Sequence, residues 1–553
     1  MNLIRGCRGV GKIVLRFRLP GLIVWLGLSG AWPWLGTAHA NVYATHIRLF
    51  GSLQPDSGGT VEIRYVLNEP ATAGVTLEIL QGNVPVRVMS LAGGGPGTVR
   101  GENTVVWDGR DMFGQPVCCG SYRVRVTAAA HGFETWTQTS DDFNLGNYVY
   151  APTGIAVHRD PTSPFYGRVF VANGRAGPNA EFMEGDRPGI LRFHADGSPV
   201  EEGAWTDGGW PWAADGTSPG DLEVGANGWL YVWDGAQQLL LRFGPEVSSA
   251  SRRVAWGPGN SPQADASMTG FGLSPRSQMV RLWMAQAVTS AGPGVYGWFL
   301  DAEGVAEAND PGVLAVVAGA GSDLTVAPAD VAEGAGGWLF AVQPRTASGD
   351  PAPRVLAFFY WTNEPVGLRE ATWTVGAGDD NLRGATAVAV DPMGRYLAVA
   401  FRGVFSGGIH RGGRVMIFDA VTGEPVATLP RTDQAYSAVA WDAVGNLYVA
   451  SLSESVWRVY SPPGGNASST LSIQTVEVTE PSLRPVLEAL RYEAGQLWLA
   501  LRGRTNTSYV VEGSADLRQW SPVTTVNLGS SPRREFPVSA EQPRQFYRAR
   551  PGP

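Results

Sequence analysis

One octapeptide constrains this chain more than any other feature, because it returns six times at nearly even intervals. GRVFVANG begins at Gly167, GWLYVWDG at Gly228, VRLWMAQA at Val280, GWLFAVQP at Gly337, GRYLAVAF at Gly394 and GNLYVASL at Gly445, at spacings of 61, 52, 57, 57 and 51 residues. A short apolar strand precedes most copies, as in Ile155-Ala-Val157 and Val388-Ala-Val390, and another follows each, as in Leu239-Leu-Leu-Arg-Phe243. Each unit therefore offers about four strands, and a repeat of roughly 40 to 60 residues built that way is the signature of a propeller blade. The expectation is an all-β chain with a six-bladed β-propeller, linkers included, over residues 143–483.

The composition agrees. Among 553 residues, 72 Gly and 39 Pro supply turns and disfavour long helices, and 17% charged residues suit a folded protein rather than a disordered one. The length predicts three or four domains at roughly 100 to 200 residues each. Lys12 is the only lysine, so a P-loop, a Schiff-base lysine, a pyridoxal enzyme and a Ser/Lys dyad are excluded.

Residues 1–40 read as a signal peptide. Arg5, Arg8, Lys12, Arg16 and Arg18 precede an apolar run and then Ala38-His-Ala40, which predicts cleavage before Asn41. The run is shorter than the roughly 20 residues a membrane span needs, and no transmembrane segment is expected after its removal. The remaining chain has 37 basic and 50 acidic residues, a net charge of −13, which disfavours nucleic acid. Secreted, periplasmic or cell-surface location and a monomeric state are the expectations. Cys118 and Cys119 are adjacent, and a disulfide between neighbours would be strained, so two free or intermolecular thiols are expected.

Residues 41–142 alternate in short strands (Val61, Ile63, Tyr65, Leu67; then Val75, Leu77, Ile79; then Val84, Val86, Val88), the pattern of a β-sandwich. The run Trp107-Asp108-Gly109, a polar turn, and Gly120-Ser121-Tyr122 resembles the immunoglobulin-like domain of the flagellar hook-capping (FlgD) family. That resemblance implies a spacer or adhesion module. The repeats resemble the loosely defined NHL and YncE-like propellers, most clearly at 388–426 and 439–465. A seventh copy, GQLWLALR at Gly495, is followed by Tyr509, Ser514, Asp516-Leu517, Trp520 and Phe546-Tyr547-Arg548, which resemble a short β-module ending many exported Verrucomicrobia-type proteins. Residues 484–553 are assigned to it.

Candidate chemistry is sparse. Gly216-Thr-Ser218-Pro219-Gly220 matches a nucleophile elbow in letters only, since Pro219 lacks the N–H that an oxyanion hole requires. Gly292-Pro-Gly294-Val-Tyr-Gly297 leads into a strand and reads as a hairpin turn. His158, His194 and His410 match the count of zinc histidines in some NHL-type lyases, but not a ligand spacing. Six-bladed lactonase-like propellers hold calcium with channel carboxylates and amides. That resemblance points to Asn173, Glu223, Asp234 and Asp442, read as lying at four different blade positions; no other cofactor is called for. Trp205, Asp207, Trp210 and Trp212, in an insertion between the first two blades, would form a flat apolar platform rimmed by carboxylate if exposed, suited to sugar rings. The alternative is that this loop folds over the propeller mouth and buries them. The functional expectation is a secreted or cell-surface binding or adhesion protein for an extracellular polymer or protein ligand, with extracellular polysaccharide as the candidate polymer. The rival is an extracellular hydrolase or lyase with a calcium-dependent channel site, and carboxylates or histidines converging at one channel mouth would distinguish it.

Overall fold

Alternating strands need one covered face, and the first hundred residues build two such faces against each other. In the computed structural model the described residues are 41–53, 59–213, 215–257, 267–275, 280–288, 292–344, 354–360, 365–376, 384–478, 485–539 and 545–552. They belong to one compact unit, Ala38–Pro553. Residues 1–40, expected to be a signal peptide, lie outside the described residues. Strands β1 (Ala44–Gly51), β2 (Val61–Leu67), β3 (Gly74–Gln81), β4 (Val84–Leu91), β5 (Gly101–Trp107) and β6 (Gly120–Phe133) form two sheets, β1-β2-β5 and β6-β3-β4. Val61, Ile63, Tyr65 and Leu67 of β2 meet Val75, Leu77 and Ile79 of β3 in one core, with Trp107 filling its end. The Trp107 indole N–H donates to the Arg110 carbonyl at 3.0 Å, and the Asp108 carboxylate accepts the Arg110 N–H, so the Trp-Asp-Gly run both plugs the core and turns the chain.

Strand β6 has 14 residues, and its free edge is filled from far along the chain. Gly464–Leu471 pairs with it in register Ala467 to Ala129, and Val476–Val478 pairs through Val476 to Tyr122. Val476 and Val478 are buried in the sandwich core. Residues 464–478, which by sequence belong with the propeller and its linkers, are thus sandwich strands. The exchange is reciprocal. Strand β7 (Thr137–Gln138), within the sandwich segment by sequence, pairs with Ser461 and Tyr460 as the outer strand of the last propeller sheet.

Among the described residues, the repeats form six four-stranded antiparallel sheets. The first contains β8 (Pro152–Val157), β9 (Val169–Asn173), β10 (Gly189–Phe193) and β11 (Trp205–Thr206). The first strands of the others are Leu222–Val224, Ser267–Leu273, Asp330–Gly334, Ala385–Val390 and Tyr436–Trp441. These six first strands pack side by side in a closed ring, last against first, which is a β-propeller. Strands buried on both faces are apolar at every position. Thus Val169 and Val171 of β9 pack toward the sixth sheet while Phe170 and Ala172 pack toward the second. Each adjacent pair of sheets shares one apolar cluster.

Gln496–Arg502, which holds the seventh octapeptide copy, pairs with Val486–Glu493 and Arg533–Ser539 rather than with a propeller sheet. Together with the sheet Ser521–Asn527, Ser508–Ser514 and Phe546–Pro551 it encloses a small core around Leu499, Tyr509, Val511 and Phe536. No helix among the described residues is long and apolar enough to cross a membrane.

Candidate functional site

The propeller's central channel is organised by a ring of side chains at the start of the first strands. Thr153, Thr269, Thr386 and Ser437 each sit where their strand is bulged, which turns the hydroxyl sideways toward the next sheet. Thr153 donates to the Pro219 carbonyl at 2.8 Å, Thr269 to Pro328 at 2.6 Å, Thr386 to Tyr436 at 3.0 Å and Ser437 to Pro152 at 2.6 Å. The second and fourth sheets carry Asp221 and Asp330 at this position, and at Asp330 the polarity of the bond is reversed. Asp330 accepts the Val388 N–H of the fifth sheet at 2.8 Å, while Asp221 accepts the N–H of Leu222 in its own strand at 2.8 Å. Five hydrogen bonds thereby fasten neighbouring sheets at this end of the channel.

Beside that ring the channel is walled by small residues, including Ala332, Ala387, Ala389 and Val439, and Asp221 and Asp330 are joined there by Glu223 and Glu333 of the same two sheets. Glu223 accepts the Leu273 N–H at 2.7 Å and faces the Arg159 guanidinium at 3.9 Å. Glu333 accepts the Trp283 indole N–H at 2.6 Å and the Tyr360 hydroxyl at 2.8 Å. Burial in the channel pushes Asp221 up to about 7 and Glu223 up to about 8, and burial together with the neighbouring Asp221 raises Asp330. The Glu223 side chain keeps 30% of its surface open to the channel, so cavity water tempers its desolvation. The cavity is about 90 Å³. A drug-sized ligand needs roughly 300 Å³ or more, so this space suits a few waters or a small ion and not a sugar ring.

The four sequence-derived calcium residues fall in three places. Asn173 and Asp234 share one blade position, the end of the second strand, contrary to the expectation of four different ones; both are seventh in their octapeptide. Both are fully buried and tie down the loop before the first strand of their sheet. Asn173 accepts the Ala151 N–H at 2.9 Å, and Asp234 accepts the Ser218 hydroxyl at 2.8 Å. That bond also fixes the serine of the elbow-like Gly-x-Ser-x-Gly. Asp442 accepts the Val444 and Asn446 N–H groups in a tight turn, where burial pushes it up to about 6. Only Glu223 belongs to the channel cluster. Asp221, Asp330 and Glu333 were not singled out by sequence reasoning; for the two aspartates a signal existed, since Thr, Asp or Ser recurs one or two residues ahead of the apolar first-strand triplet in most repeats, whereas Glu333 lies within its strand and carries no such mark.

The tryptophan insertion lies on the face formed by loops after the second and fourth strands. Trp205, Trp210 and Trp212 are half-buried, and each indole N–H is used internally: Trp205 to Pro188 at 3.1 Å, Trp210 to Asp234 at 2.7 Å and Trp212 to Asp207 at 3.0 Å, the last two to a carboxylate and a carbonyl. Trp210 and Trp212 meet edge to face at 62°, and Arg252 lies 5.1 Å over Trp210, so the rings are not coplanar. Asp207 is exposed, and its carboxylate accepts the Gly209 N–H.

The same face displays apolar tips. Phe143 is 94% exposed, Leu145 81%, Phe182 85%, Phe405 67% and Ile409 45%. The opposite face bears the sandwich: Tyr43 lies against Tyr166 at 5.3 Å between ring centroids, and the Asn446 amide donates to the Asn41 carbonyl at 2.9 Å.

No family model and no curated protein matches the chain. Among solved structures it is similar to the β-propeller domain of Myceliophteria thermophila Cps50 (Swd1), at 12% identity over 56% of this chain and 82% of that one, with a TM-score of 0.33. It is also similar to streptogramin B lyase, at 10% identity over 61% and 100%, TM-score 0.32, and to the WD40 β-propeller domain of Doa1, at 11% over 60% and 97%, TM-score 0.33. Assignment of the β-propeller rests on the sheet order and the ring of first strands.

Proposed function

We propose that this chain is an exported, non-catalytic binding protein in which a six-bladed propeller, braced by an immunoglobulin-like sandwich, presents one face to an extracellular polysaccharide. The observation that carries this reading is the set of exposed rings and chains at Phe143, Leu145, Phe182, Phe405 and Ile409 on the loops of the face away from the sandwich. Large apolar side chains on loop tips cost solubility unless a partner covers them, and flat aromatic faces suit the apolar faces of sugar rings. The half-exposed edges of Trp205 and Trp212 extend the same surface. The signal-like leader and the acidic, nearly lysine-free composition support an extracellular setting. The test is retention on a panel of insoluble polysaccharides, comparing the parent with a variant in which the five tip residues are Ser. Loss of retention with an unchanged melting temperature is expected. Retention by that variant, or no retention of the parent on any glycan, overturns the reading.

A second reading, an extracellular hydrolase or lyase, is favoured by one observation: Asp221 and Glu223 are carboxyls with raised affinity for protons in a shared cavity, the usual condition for a general acid. The size of that cavity argues against a substrate ring entering it. Turnover assays with and without calcium separate the two, since calcium-dependent hydrolysis abolished by Glu223→Gln would replace the binding reading.

A further inference from the structure

Where the sandwich meets the first propeller sheet, three potential metal donors from distant parts of the chain converge. His46 lies on β1, His194 follows β10, and Glu201 lies in the turn before β11. One ligand atom from each falls within 4.8 Å of the others, the only such group of three among the described residues. His46 Nε2 is 2.7 Å from Glu201 Oε1, His194 Nε2 is 3.4 Å from Glu201 Oε2, and the two imidazole rings are 4.4 Å apart between centroids. Both Nε2 atoms thus address the two oxygens of a single carboxylate.

The backbone pays to achieve this. His46 has φ of +50° and sits in the register shift of β1 between Thr45 and Arg48. A bulge re-aims the side chain it carries, and a positive φ in a non-glycine residue persists only where surroundings enforce it. Without the shift, strand alternation would give His46 a different outlook. A cavity of about 200 Å³ adjoins the group and is lined by Arg48, Ser163, Arg168 and Glu202. His194 is buried, with 9% of its side chain exposed, while Glu201 is 46% exposed, so an ion has a route in and a water has room beside it.

We propose that His46, His194 and Glu201 form a zinc-class divalent metal site, with the fourth position filled by water from the adjoining cavity. Two imidazoles and one carboxylate are a borderline donor set that suits zinc and disfavours calcium, which prefers oxygen alone. Zinc ligation at about 2.0–2.1 Å requires donor atoms roughly 3.3 Å apart, within small side-chain rotations of the spacing seen. Arg48, which donates to Glu201 Oε1 at 2.8 Å and to Glu102 at 2.5 Å, is compatible because a carboxylate offers about four acceptor positions. The ion would link β1 directly to the first propeller sheet, so its chemical role is a clamp between the two domains.

The test uses the full chain without a histidine tag, in a Cys118→Ser/Cys119→Ser background so that the exposed thiols do not compete. After chelator treatment and dialysis, zinc is titrated calorimetrically, thermal unfolding is followed with and without zinc, and cobalt is added as a spectroscopic probe. Expected are one zinc per chain, a higher melting temperature with zinc, visible d–d bands with cobalt, at least a hundredfold loss of affinity in His46→Ala and in His194→Ala, and about a tenfold loss in Glu201→Gln. His158→Ala and His410→Ala should bind as the parent does. Absence of a zinc-induced melting shift and of cobalt bands in the parent overturns the proposal, as does parent-like zinc affinity in a folded His46→Ala/His194→Ala variant. Should the histidine variants fail to fold, the parent's stoichiometry and cobalt spectrum decide alone.

Discussion

The Ser437 hydroxyl donates to the Pro152 carbonyl at 2.6 Å, and with that bond the last sheet of the propeller is fastened to the first. Thr153, Thr269 and Thr386 make the equivalent bond across three other junctions. A partly buried hydrogen bond of this kind contributes about 0.5–1.5 kcal/mol net. Ser437→Ala should therefore lower unfolding free energy by about 1 kcal/mol, read as a lower urea midpoint at unchanged slope. Thr386→Val should cost a similar amount. Ser437→Ala acts at the closing junction, where β7 supplies only two residues. It should therefore also speed proteolysis between residues 133 and 152 more than Thr386→Val does. Equal proteolysis in both variants would mean that the closing junction is no weaker than the others.

The parts of this architecture that were legible in the sequence are those in which one residue type answers one environment. The apolar cores of the octapeptides, such as Val169-Phe-Val-Ala172, face apolar neighbours on both sides, so their continuous hydrophobicity announces doubly buried strands. The strand exchange was not legible. Gly464–Leu471 reads GGNASSTL, small and polar, with little intrinsic strand preference. It is a strand because Ala128, Ala129 and Ala130 of β6 offer an equally small edge, which a tertiary partner supplies and local sequence does not. Donors 148 residues apart at His46 and His194 were likewise invisible, since only the docking of the sandwich on the propeller joins them. Glu223 was found by its place beside a repeat, whereas Asp221, Asp330 and Glu333 look like ordinary turn and strand-end acids until the ring closes around them.

Stability should fall as the solution becomes more alkaline. Burial pushes Asp442 up to about 6, Glu69 and Asp221 up to about 7 and Glu223 up to about 8. In the unfolded chain such groups titrate near 4, so the folded state holds protons that the unfolded state has lost. Their contribution is complete below pH about 4 and is lost as pH rises through about 6–8. His158 works in the opposite sense. Burial lowers it to about 4, and its contribution is lost as pH falls from about 6.5 toward that value. The urea midpoint should accordingly be higher at pH 6 than at pH 8.5, and Glu223→Gln should reduce that difference. A midpoint that rises toward pH 8.5 in the parent would show that these carboxyls are ionised without penalty.

Trp210 is expected to matter for stability before it matters for any ligand. Its indole N–H donates to Asp234, a fully buried carboxylate that also accepts the Ser218 hydroxyl and the Ala236 and Gln237 N–H groups. Trp210→Phe keeps most of the apolar contact and removes only that donor, at a cost of about 1–3 kcal/mol for a buried acceptor left short. Trp205→Phe removes a bond to the Pro188 carbonyl at the edge of the first sheet and should cost less. Urea unfolding measures both, alongside retention on the polysaccharide panel. Loss of retention in Trp210→Phe at parent-like stability would make the indole a ligand contact instead.

The reciprocal exchange of strands makes a further demand on how the chain unfolds. The sandwich needs Val476 and Val478 in its core, and the sixth propeller sheet needs β7 at its edge. Neither body closes its sheets without residues from the other segment. Asn41, which starts the described chain, reinforces the joint by donating to the Pro462 and Gly464 carbonyls at 3.1 and 2.7 Å. Sandwich and propeller should therefore melt in one calorimetric transition rather than two. Val476→Asp places a charge in the sandwich core, where an unpaired carboxylate is strongly destabilising, and it should lower the single melting temperature of both bodies together. A fragment ending at residue 462 should leave the β6 edge unpaired and the sandwich unfolded, whereas restoring residues 463–478 should recover its near-ultraviolet signal from Trp107 and Tyr122. Two well-separated transitions in the parent, with Val476→Asp moving only one of them, would show that the exchanged strands do not couple the domains.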